Sequence, residues 1–473
     1  MRRTKIVATI GPASRDPRVL ERLVEAGVNV ARLNFSHGTY GDHLAVIRAA
    51  REIAARLERP LALLQDLSGP KIRTGRMKGD QPVQLRDGAS VRITTDLSVE
   101  GTAELISTTY EPLPRDLVPG DRILLDDGNL ELRVVRTTER DVECAVVHGG
   151  LLRPLKGMNL PGVKISAPAL TEKDYRDLAL GVKNGVDYVA VSFVRQAADV
   201  EQARAAVAAL GGTAPIIAKI EKREAVENLD AIVGAADGVM VARGDLGVEL
   251  PTEEVPTLQK RIIQAANNAG KVVITATQML ESMVEHARPT RAEASDVANA
   301  IVDGTDAVML SAETAAGRYP VEAVETMARI AVYTEEHLSQ RDPVRRRASA
   351  NPTRIVARSL ARVAAMVAEE LECKLIVAFT ASGSTACMVS MYRPQPPIAA
   401  ISYDEEAHRR LALWWGVVPL KSGLARTTDE MVMEAEALLK RKKLAGPGDV
   451  VLMLGGQSHT AGATNMIRVH TIS

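Results

Sequence analysis

Eight short apolar runs, most of them followed by a segment of helical periodicity, restrict the possible folds of this chain more than any other feature. Strands that alternate with helices and are buried on both faces predict a parallel sheet. Eight such units favour a closed barrel, and a doubly wound open sheet is the structural alternative. The runs are TKIVATI (4–10), VNVARLN (28–34), LALLQD (61–66), DYVAVSF (187–193), PIIAKIE (215–221), GVMVARGD (238–245), KVVITAT (271–277) and DAVMLSAE (306–313).

A long insert interrupts this pattern between the third and fourth runs, from about residue 69 to residue 164. It lacks long helical patterning, and stretches such as SVRITTDL and DVECAVVHGG predict a small all-β domain. Pro70 and Pro161, each beside a glycine, lie in two connections suited to a hinge. We therefore expect a lid over the barrel mouth, with the barrel domain divided into residues 1–68 and 165–340.

A third domain is predicted beyond a charged segment. The segment SQRDPVRRRASANPTR (339–354) is nearly devoid of apolar residues and is typical of a linker. Residues 353–473 contain a long amphipathic helix and five strand-like runs, several of them separated by helical segments. This order predicts an α/β domain with a mostly parallel sheet.

Composition limits the classes of partner. Lys and Arg together number 59, as do Asp and Glu, so no overall field attracts nucleic acid or a membrane surface. The three cysteines lack metal-ligand spacing and argue for a reducing compartment. No window holds the roughly 18 continuous apolar residues of a membrane helix. We expect a soluble, cytoplasmic protein that binds neither nucleic acid nor membrane.

Polar side chains recur where the predicted strands end, and in a barrel these ends meet at one mouth. Lys219 and Glu221 are two residues apart, so both side chains project from the same face of their strand. The pair forms either a local salt bridge or part of an active site. Buried charges are costly unless paired or ligand-bound, so their convergence favours a ligand. The other strand-end residues are Arg32, Asn34, Ser36, His37, Asp66, Arg243, Asp245, Thr275 and Thr277.

These groups have the chemical character needed for phosphoryl transfer. Glu221 and Asp245 are hard oxygen donors, too few to enclose calcium but suited to magnesium. Arg32, Arg73 and Lys219 are cations that match phosphate oxygens. Carboxylates for a metal and cations for phosphate indicate a phosphotransferase. The chain contains neither GxxxxGK[ST] nor the motif set of protein kinases, which excludes those two classes.

Eight motifs occur along the chain in the order TKIVATIGPAS, NVARLNFSHG, GPKIRTG, KGMNLPGVKISAPALTEKD, AKIE, MVARGDLGVELP, ATQMLESM and DAVMLSAETAAGRYP. In these motifs, and along its whole length, the sequence resembles the pyruvate kinase family. This resemblance implies a (β/α)8 TIM barrel with an inserted small β-barrel lid domain and a C-terminal α/β domain. It also implies phosphoryl transfer from phosphoenolpyruvate to ADP, with Mg²⁺ or Mn²⁺ as the metal, in a homotetramer.

The resemblance implies roles for residues that would contact phosphoenolpyruvate. Arg32 would contact the transferring phosphoryl group. Lys219 would stabilise the charge of that group and of the enolate oxygen. The substrate would be held by the backbone at Gly244, by the Thr277 hydroxyl and, through the metal, by Asp245. Thr277 would also organise protonation of the enolate.

The resemblance places the metal and the nucleotide nearby. Glu221 and Asp245 would bind the divalent metal. Arg73 and, from the lid, Lys156 would reach the nucleotide phosphates, and lid closure would exclude water. The remaining nucleotide-binding residues implied are Asn34 and His37.

Lys71 occupies a position at which members of the family carry either lysine or glutamate. Relatives with glutamate at this place need potassium, and relatives with lysine do not. A tethered ammonium supplies the charge that the ion supplies elsewhere, so we expect potassium not to be required; a surface lysine beside a hinge is the alternative. The groups that match the family's potassium ligands are Asn34, Ser36, Asp66 and the carbonyl of Leu67.

The loop TASGST (380–385) precedes a predicted helix in the third domain and offers backbone donors and hydroxyls, as phosphate sites do. A helix cap is the alternative. The resemblance implies an allosteric site for a sugar phosphate or AMP at Thr380, Ser382, Gly383, Ser384 and Thr385. Trp414 and Trp415 are interpreted as packing residues.

Two other functions compete with phosphoryl transfer to ADP. A different phosphoenolpyruvate-using barrel that makes or breaks carbon bonds would account for Glu221 and Asp245, but not for Arg73 and Lys156. A catalytically inactive sensor of sugar phosphates would need only the third domain. The presence of Lys219 and the other catalytic residues argues against the sensor.

Overall fold

The computed structural model describes residues 1–338, 352–424, 427–456 and 464–473. Its N-terminal part begins a barrel, with helices that start at defined caps. Asp16 caps the first helix, and Thr39 forms a capping box with Asp42 at the second. The elements are β1 (Lys5–Thr9), α1 (Pro17–Ala26), β2 (Val30–Asn34), α2 (Tyr40–Arg56) and β3 (Ala62–Asp66).

The insert after β3 is a lid domain built from β-strands and one short α-helix, close to the predicted all-β domain. Side chains along its strands alternate between a buried face and an exposed face, and the buried ones form an apolar core of their own. Six strands pair in the order β11-β7-β8-β9-β5-β6, and β10 pairs with β4. The elements are β4 (Val83–Leu85), β5 (Ser90–Thr94), β6 (Leu105–Ser107), α3 (Leu113–Asp116), β7 (Arg122–Leu125), β8 (Leu130–Thr137), β9 (Asp141–His148), β10 (Gly150–Leu152) and β11 (Met158–Asn159).

The chain then returns to the barrel. Strands β1–β3 and β12–β16 close into one parallel barrel in the order β1-β16-β15-β14-β13-β12-β3-β2, which confirms the closed-barrel prediction and excludes the open sheet. Each of the eight apolar runs contains one of these strands. The elements are α4 (Glu172–Lys183), β12 (Tyr188–Val191), α5 (Ala197–Ala209), β13 (Ile216–Ile220), α6 (Arg223–Glu227), α7 (Leu229–Ala235), β14 (Gly238–Ala242), α8 (Arg243–Glu249), α9 (Val255–Ala269), β15 (Val272–Ala276), α10 (Arg291–Asp303), β16 (Ala307–Leu310), α11 (Ala312–Ala315) and α12 (Pro320–Glu336).

The C-terminal part is an α/β domain. Its five-stranded sheet has the order β19-β18-β17-β20-β21 and is parallel except for the β20–β21 pair, as predicted. The predicted linker, residues 339–354, lies outside the described residues except for 352–354, where a helix begins. The elements are α13 (Pro352–Glu370), β17 (Leu375–Phe379), α14 (Ser384–Ser390), β18 (Ile398–Ser402), α15 (Glu405–Arg410), β19 (Val417–Lys421), α16 (Thr428–Arg441), β20 (Val450–Gly455) and β21 (Met466–Thr471).

The C-terminal domain closes the end of the barrel where the strands begin. Leu413 and Trp414 belong to the same apolar core as Val7 and other side chains inside the barrel. Trp415 is a packing residue, since its ring centroid lies 4.8 Å from the guanidinium of Arg393 and 5.8 Å from that of Arg3. The lid lies at the opposite end of the barrel, where the strands finish. No helix within the described ranges is long and apolar enough to cross a membrane.

Candidate active site

A buried network of four charged side chains lies where β2, β3 and β13 end. Asp66 Oδ2 accepts a hydrogen bond from Arg32 Nε at 2.6 Å, and Asp66 Oδ1 lies 3.3 Å from Lys219 Nζ. Lys219 Nζ lies 2.8 Å from Glu221 Oε1. None of the four side chains is more than 10% exposed, so each charge depends on the others for compensation.

Opposing effects of burial and of neighbouring charges set the protonation states of Lys219 and Asp66. Burial alone would lower the pKa of Lys219, but the carboxylates of Asp66 and Glu221 outweigh it and raise the pKa above its ordinary value. Burial alone would raise the pKa of Asp66, but Lys219 and Arg32 outweigh it and hold the pKa below its ordinary value. Both groups are therefore charged at neutral pH.

Glu221 behaves differently, and its environment fits a metal ligand. Burial and the charge of Asp245 raise the pKa of Glu221 in spite of Lys219. Glu221 Oε2 accepts a hydrogen bond from the backbone N–H of Phe193 at 2.6 Å, whereas the buried Oε1 has only the Lys219 ammonium, 2.8 Å away, to offset its charge. Because the pKa of Glu221 stays raised in spite of this ammonium, a further cation would stabilise the two carboxylates.

Asp245 lies in the first turn of α8, where the helix dipole favours negative charge. Among the described residues, no group of three or more His, Cys, Asp or Glu side chains could hold a metal ion alone. Two carboxylates are nevertheless enough for Mg²⁺, which keeps several waters and takes substrate oxygens as its other ligands. The pair Glu221 and Asp245 therefore fits this metal.

A strained turn after β15 faces the start of α8. Thr277 has a φ of 70° and Gln278 a φ of 53°, in the left-handed region that β-branched residues rarely occupy. The guanidinium of Arg243 donates to Asp296 of α10 at 2.7 Å, and it holds the turn by donating to the carbonyl of Thr277 at 2.6 Å. The turn presents the Thr277 hydroxyl to the backbone N–H of Gly244, which donates to it at 2.7 Å.

The predicted nucleotide-binding residues come from both the barrel and the lid. In the lid, Lys156 pairs with Asp126 at 2.7 Å, and Arg73 donates to the carbonyl of Leu155 at 3.0 Å. The pKa of His37 is lowered by desolvation and then by the positive charges of Arg73, Lys71 and Arg32. Cations of the lid and of the barrel therefore act on one imidazole at the mouth.

A cleft opens between the lid and the barrel and brings two lysines beside Asp245. Its empty volume, including the open entrance, is about 410 Å³. Lys71 comes from the start of the lid, and Lys222 follows β13. The residues that line the cleft are Pro70, Lys71, Ile72, Asp127, Gly157, Met158, Asn159, Leu160, Ile165, Phe193, Lys222 and Asp245.

The groups predicted to match a potassium site lie together, and most already have protein partners. Asn34 and Asp66 are opposite each other in the pairing of β2 with β3. Asn34 Oδ1 accepts a hydrogen bond from the backbone N–H of Ser36 at 3.1 Å. The carbonyl of Leu67 accepts one from Ser192 at 2.8 Å, and Asp66 faces two cations.

The predicted effector loop divides into bound and unbound hydroxyls. Thr385 shares a hydrogen bond with Thr464 at 2.8 Å, and Ser382 donates to Ser384 at 3.2 Å. Gly383 has a φ of 86°, which explains a glycine immediately before α14. Thr380 Oγ1 is buried without a hydrogen-bond partner.

Several polar partners of the site were missed by the sequence analysis. Ser192 accepts a hydrogen bond from Lys219 at 2.7 Å, and Thr9 accepts one from Arg32 at 2.9 Å. Both residues stand at the end of a barrel strand, so the rule that found the other strand-end residues would also have found them. Lys222 pairs with Glu249 at 2.5 Å, and the sequence contains no signal for that contact.

Comparison with known proteins covers the whole chain. The family model for the pyruvate kinase barrel domain matches residues 1–324, and the model for the pyruvate kinase alpha/beta domain matches residues 358–470. The chain is 49% identical to a pyruvate kinase of Geobacillus stearothermophilus, over 100% of this chain and 81% of that protein. It is 48% identical to pyruvate kinase 2 of a Synechocystis species, over 100% of this chain and 79% of that protein. A crystal structure of a pyruvate kinase from Cryptosporidium parvum matches with a TM-score of 0.90 at 36% identity, over 100% of this chain and 96% of that one.

Proposed function

Because this chain belongs to the pyruvate kinase family, we propose that the residues at its barrel mouth transfer the phosphoryl group of phosphoenolpyruvate to ADP, giving ATP and pyruvate. The observation that carries this assignment to particular residues is the buried network of Arg32, Asp66, Lys219 and Glu221, which lies beside Asp245 at the end of the barrel where catalytic groups converge.

Arg32 and Lys219 are the cations for the transferring group. Arg32 is fixed by Asp66 through Nε and by Thr9 through Nη1, so its orientation is set before substrate binds. Lys219 is held among Ser192, Asp66 and Glu221 and remains charged. Fixed positive charge aimed at the phosphoryl and enolate oxygens stabilises the transition state without reorganisation.

Glu221 and Asp245 would hold the divalent metal, Mg²⁺ or Mn²⁺. When bound, the metal supplies positive charge that neutralises the oxygens of the substrate and of the phosphoryl group. Gly244 and Thr277 lie next to this position. The Gly244 N–H is directed at the Thr277 hydroxyl, and a substrate carboxylate placed there would accept hydrogen bonds from both. The same hydroxyl would organise delivery of a proton to the enolate.

The lid, which we propose moves as a unit of residues 69–164, would carry Arg73 and Lys156 onto the nucleotide phosphates. In the structure Lys156 pairs with Asp126 and is one-third exposed, so it can exchange this partner for a phosphate. Asn34 and His37 would complete the nucleotide site from the barrel. Closure of the lid would exclude water, which could otherwise accept the phosphoryl group.

We propose that the enzyme does not require potassium. Lys71 lines the cleft beside Asp245, and its charge acts on His37 together with those of Arg73 and Arg32. The groups that match potassium ligands elsewhere are largely occupied here, because Asp66 pairs with two cations and the carbonyl of Leu67 accepts from Ser192. The ammonium of Lys71 would supply the missing positive charge.

We also propose that the C-terminal domain regulates the enzyme. The unpaired hydroxyl of Thr380 and the donors from Ser382 to Thr385 support a site for the phosphate of a sugar phosphate or AMP.

We propose that the enzyme assembles in the cytoplasm as a homotetramer. A homotetramer would cover apolar side chains that are now exposed. Four of these lie on α13, namely Ile355, Val356, Val363 and Met366.

One assay tests the function against its two alternatives. Purified protein is supplied with phosphoenolpyruvate and Mg²⁺, with and without ADP, and pyruvate and ATP are measured. We expect equal amounts of both products, and only when ADP is present. Consumption of phosphoenolpyruvate that needs a carbon acceptor instead of ADP would indicate the carbon-bond enzyme. No consumption under any condition would indicate a sensor.

A further inference from the structure

A second ion pair, between Lys222 and Glu249, lies beside the proposed metal site. Lys222 Nζ and Glu249 Oε1 are 2.5 Å apart, and the side chains are only 7% and 2% exposed. Both belong to the mouth of the barrel, because Lys222 follows β13 and Glu249 ends α8. The reaction proposed above assigns neither residue a role.

The location of the pair is not explained by stability alone. Glu249 is the last residue of α8, where the helix dipole disfavours a negative charge. Burial of two charges costs free energy that their attraction often does no more than offset. A buried pair placed against the dipole therefore calls for an explanation in what it positions.

The chain connects each partner directly to a proposed metal ligand. Lys222 is the residue after Glu221. Glu249 lies one helical turn after Asp245, so the two carboxylates project from neighbouring positions on α8. The bond between Lys222 and Glu249 therefore joins the end of β13 to α8 and limits how far Glu221 and Asp245 can move apart.

Two more contacts tie this pair to its surroundings. The Lys222 ammonium lies 5.9 Å from the ring centroid of Phe193, whose backbone N–H donates to Glu221. Asn159 of the lid donates to the same Glu249 oxygen at 3.2 Å. The pair is thus enclosed by the β12–α5 connection, by α8 and by the lid.

On the basis of the metal site proposed above, we propose that Lys222 and Glu249 are positioning residues that hold Glu221 and Asp245 at the separation a divalent cation requires. Their effect is on metal affinity, through the geometry of the two ligands. Groups that orient metal ligands without touching the metal typically change affinity by about 10- to 100-fold when removed.

The test measures direct binding of Mn²⁺ to the protein in the absence of substrates. Electron paramagnetic resonance of the free ion monitors the binding. We expect Glu249→Gln and Lys222→Met each to weaken Mn²⁺ binding by about tenfold or more. Because removal of one partner removes the whole link, the double variant should lose no more than about as much as either single variant. Asn159→Ala removes only the lid contact and should stay within about twofold of the wild type.

Asp306→Asn provides a matched control. It removes a carboxylate from another buried pair, 2.7 Å from Arg393 at the opposite end of the barrel. We expect this variant to unfold at a lower temperature but to bind Mn²⁺ as the wild type does. Circular dichroism and thermal unfolding identify any variant that has not folded, and only folded variants are compared; Lys222→Arg, which keeps the charge, is expected to retain most of the affinity.

Unchanged Mn²⁺ affinity in folded Glu249→Gln and Lys222→Met would overturn the inference, as would an equal loss in Asn159→Ala. Failure of the metal site itself has a separate signature. If Glu221→Gln binds Mn²⁺ as tightly as the wild type, the proposed ligands are wrong, whatever the Glu249 variant does.

Discussion

Lys219 Nζ lies 2.8 Å from Glu221 Oε1, so two residues that point the same way from one strand are in direct ionic contact. The contact is not an isolated salt bridge, because Lys219 also faces Asp66 and donates to Ser192. Its pKa is raised by these carboxylates in spite of burial, and the lysine is therefore a fixed cation over the physiological pH range.

Replacement of this cation should affect turnover before it affects the fold. We predict that Lys219→Met lowers kcat by about 10² to 10³, the usual loss for a missing donor to developing charge. Mn²⁺ binding should persist, because Glu221 and Asp245 remain. Lys260→Met, at an exposed lysine, is the control. More than half of wild-type turnover in Lys219→Met would remove this residue from the mechanism.

The lid lysine should affect one substrate selectively. We predict that Lys156→Ala raises the KM for ADP several-fold and changes the KM for phosphoenolpyruvate less, because Lys156 is proposed to reach only the nucleotide phosphates. Lys164→Ala, at an exposed position in the same region, should behave as the wild type. Initial rates over both substrate concentrations give the two constants. Equal increases in both would instead assign Lys156 to lid closure.

Lys71 should determine the response to potassium. A positive charge about 4 Å from a phosphate is worth on the order of 4 kcal/mol at an effective dielectric constant of about 20, before screening. We predict full activity in a potassium-free buffer with a bulky organic cation, and potassium dependence in Lys71→Glu. Lys78→Glu makes the same charge change at an exposed position and should remain independent. Tenfold activation of the wild type by potassium at constant ionic strength would contradict the proposal.

The effector loop should be separable from catalysis. We predict that the double variant Thr380→Ala with Ser382→Ala loses activation by sugar phosphates or AMP but keeps the saturated turnover of the wild type. Ser422→Ala, in the same domain, tests whether any lost hydroxyl has this effect. The measurement is activity at low phosphoenolpyruvate against effector concentration. A wild type that responds to none of these compounds would leave no effector site to explain.

Lys5 should make the free energy of unfolding depend on pH in the neutral to alkaline range. Burial, and then the charge of Arg2, lowers the pKa of Lys5 to about 7 in the folded protein although Glu335 opposes the shift, and the ordinary value is 10.5. Between these values the unfolded chain binds more protons, so the free energy of unfolding rises as pH increases. We predict that the wild type gains stability relative to Lys5→Met, by an amount on the order of a few kcal/mol, between about pH 7 and pH 10. Urea unfolding at several pH values measures this difference, and parallel curves for the two proteins would contradict it.

Sequence patterns predicted those features that depend on local order. The barrel strands follow from apolar runs, and residues such as Asp66 and Glu221 follow from their place at strand ends. The contact between Lys222 and Glu249 depends on how α8 lies against the end of β13, and no local pattern encodes it. The left-handed turn at Thr277 was also missed, because local preference opposes it and tertiary hydrogen bonds from Arg243 and Gly244 maintain it.

The closure of the barrel by distant parts of the chain has a consequence during protein synthesis. β1 pairs with β16, and the interior core is completed by residues 412–414 of the C-terminal domain. At about 5 to 20 residues per second, a ribosome needs roughly 20 to 80 seconds to travel from the first strand to those residues. Throughout most of that interval one edge of β1 has no partner. Until β16 emerges, the nascent barrel therefore exposes an unpaired strand edge of the kind that pairs with other chains.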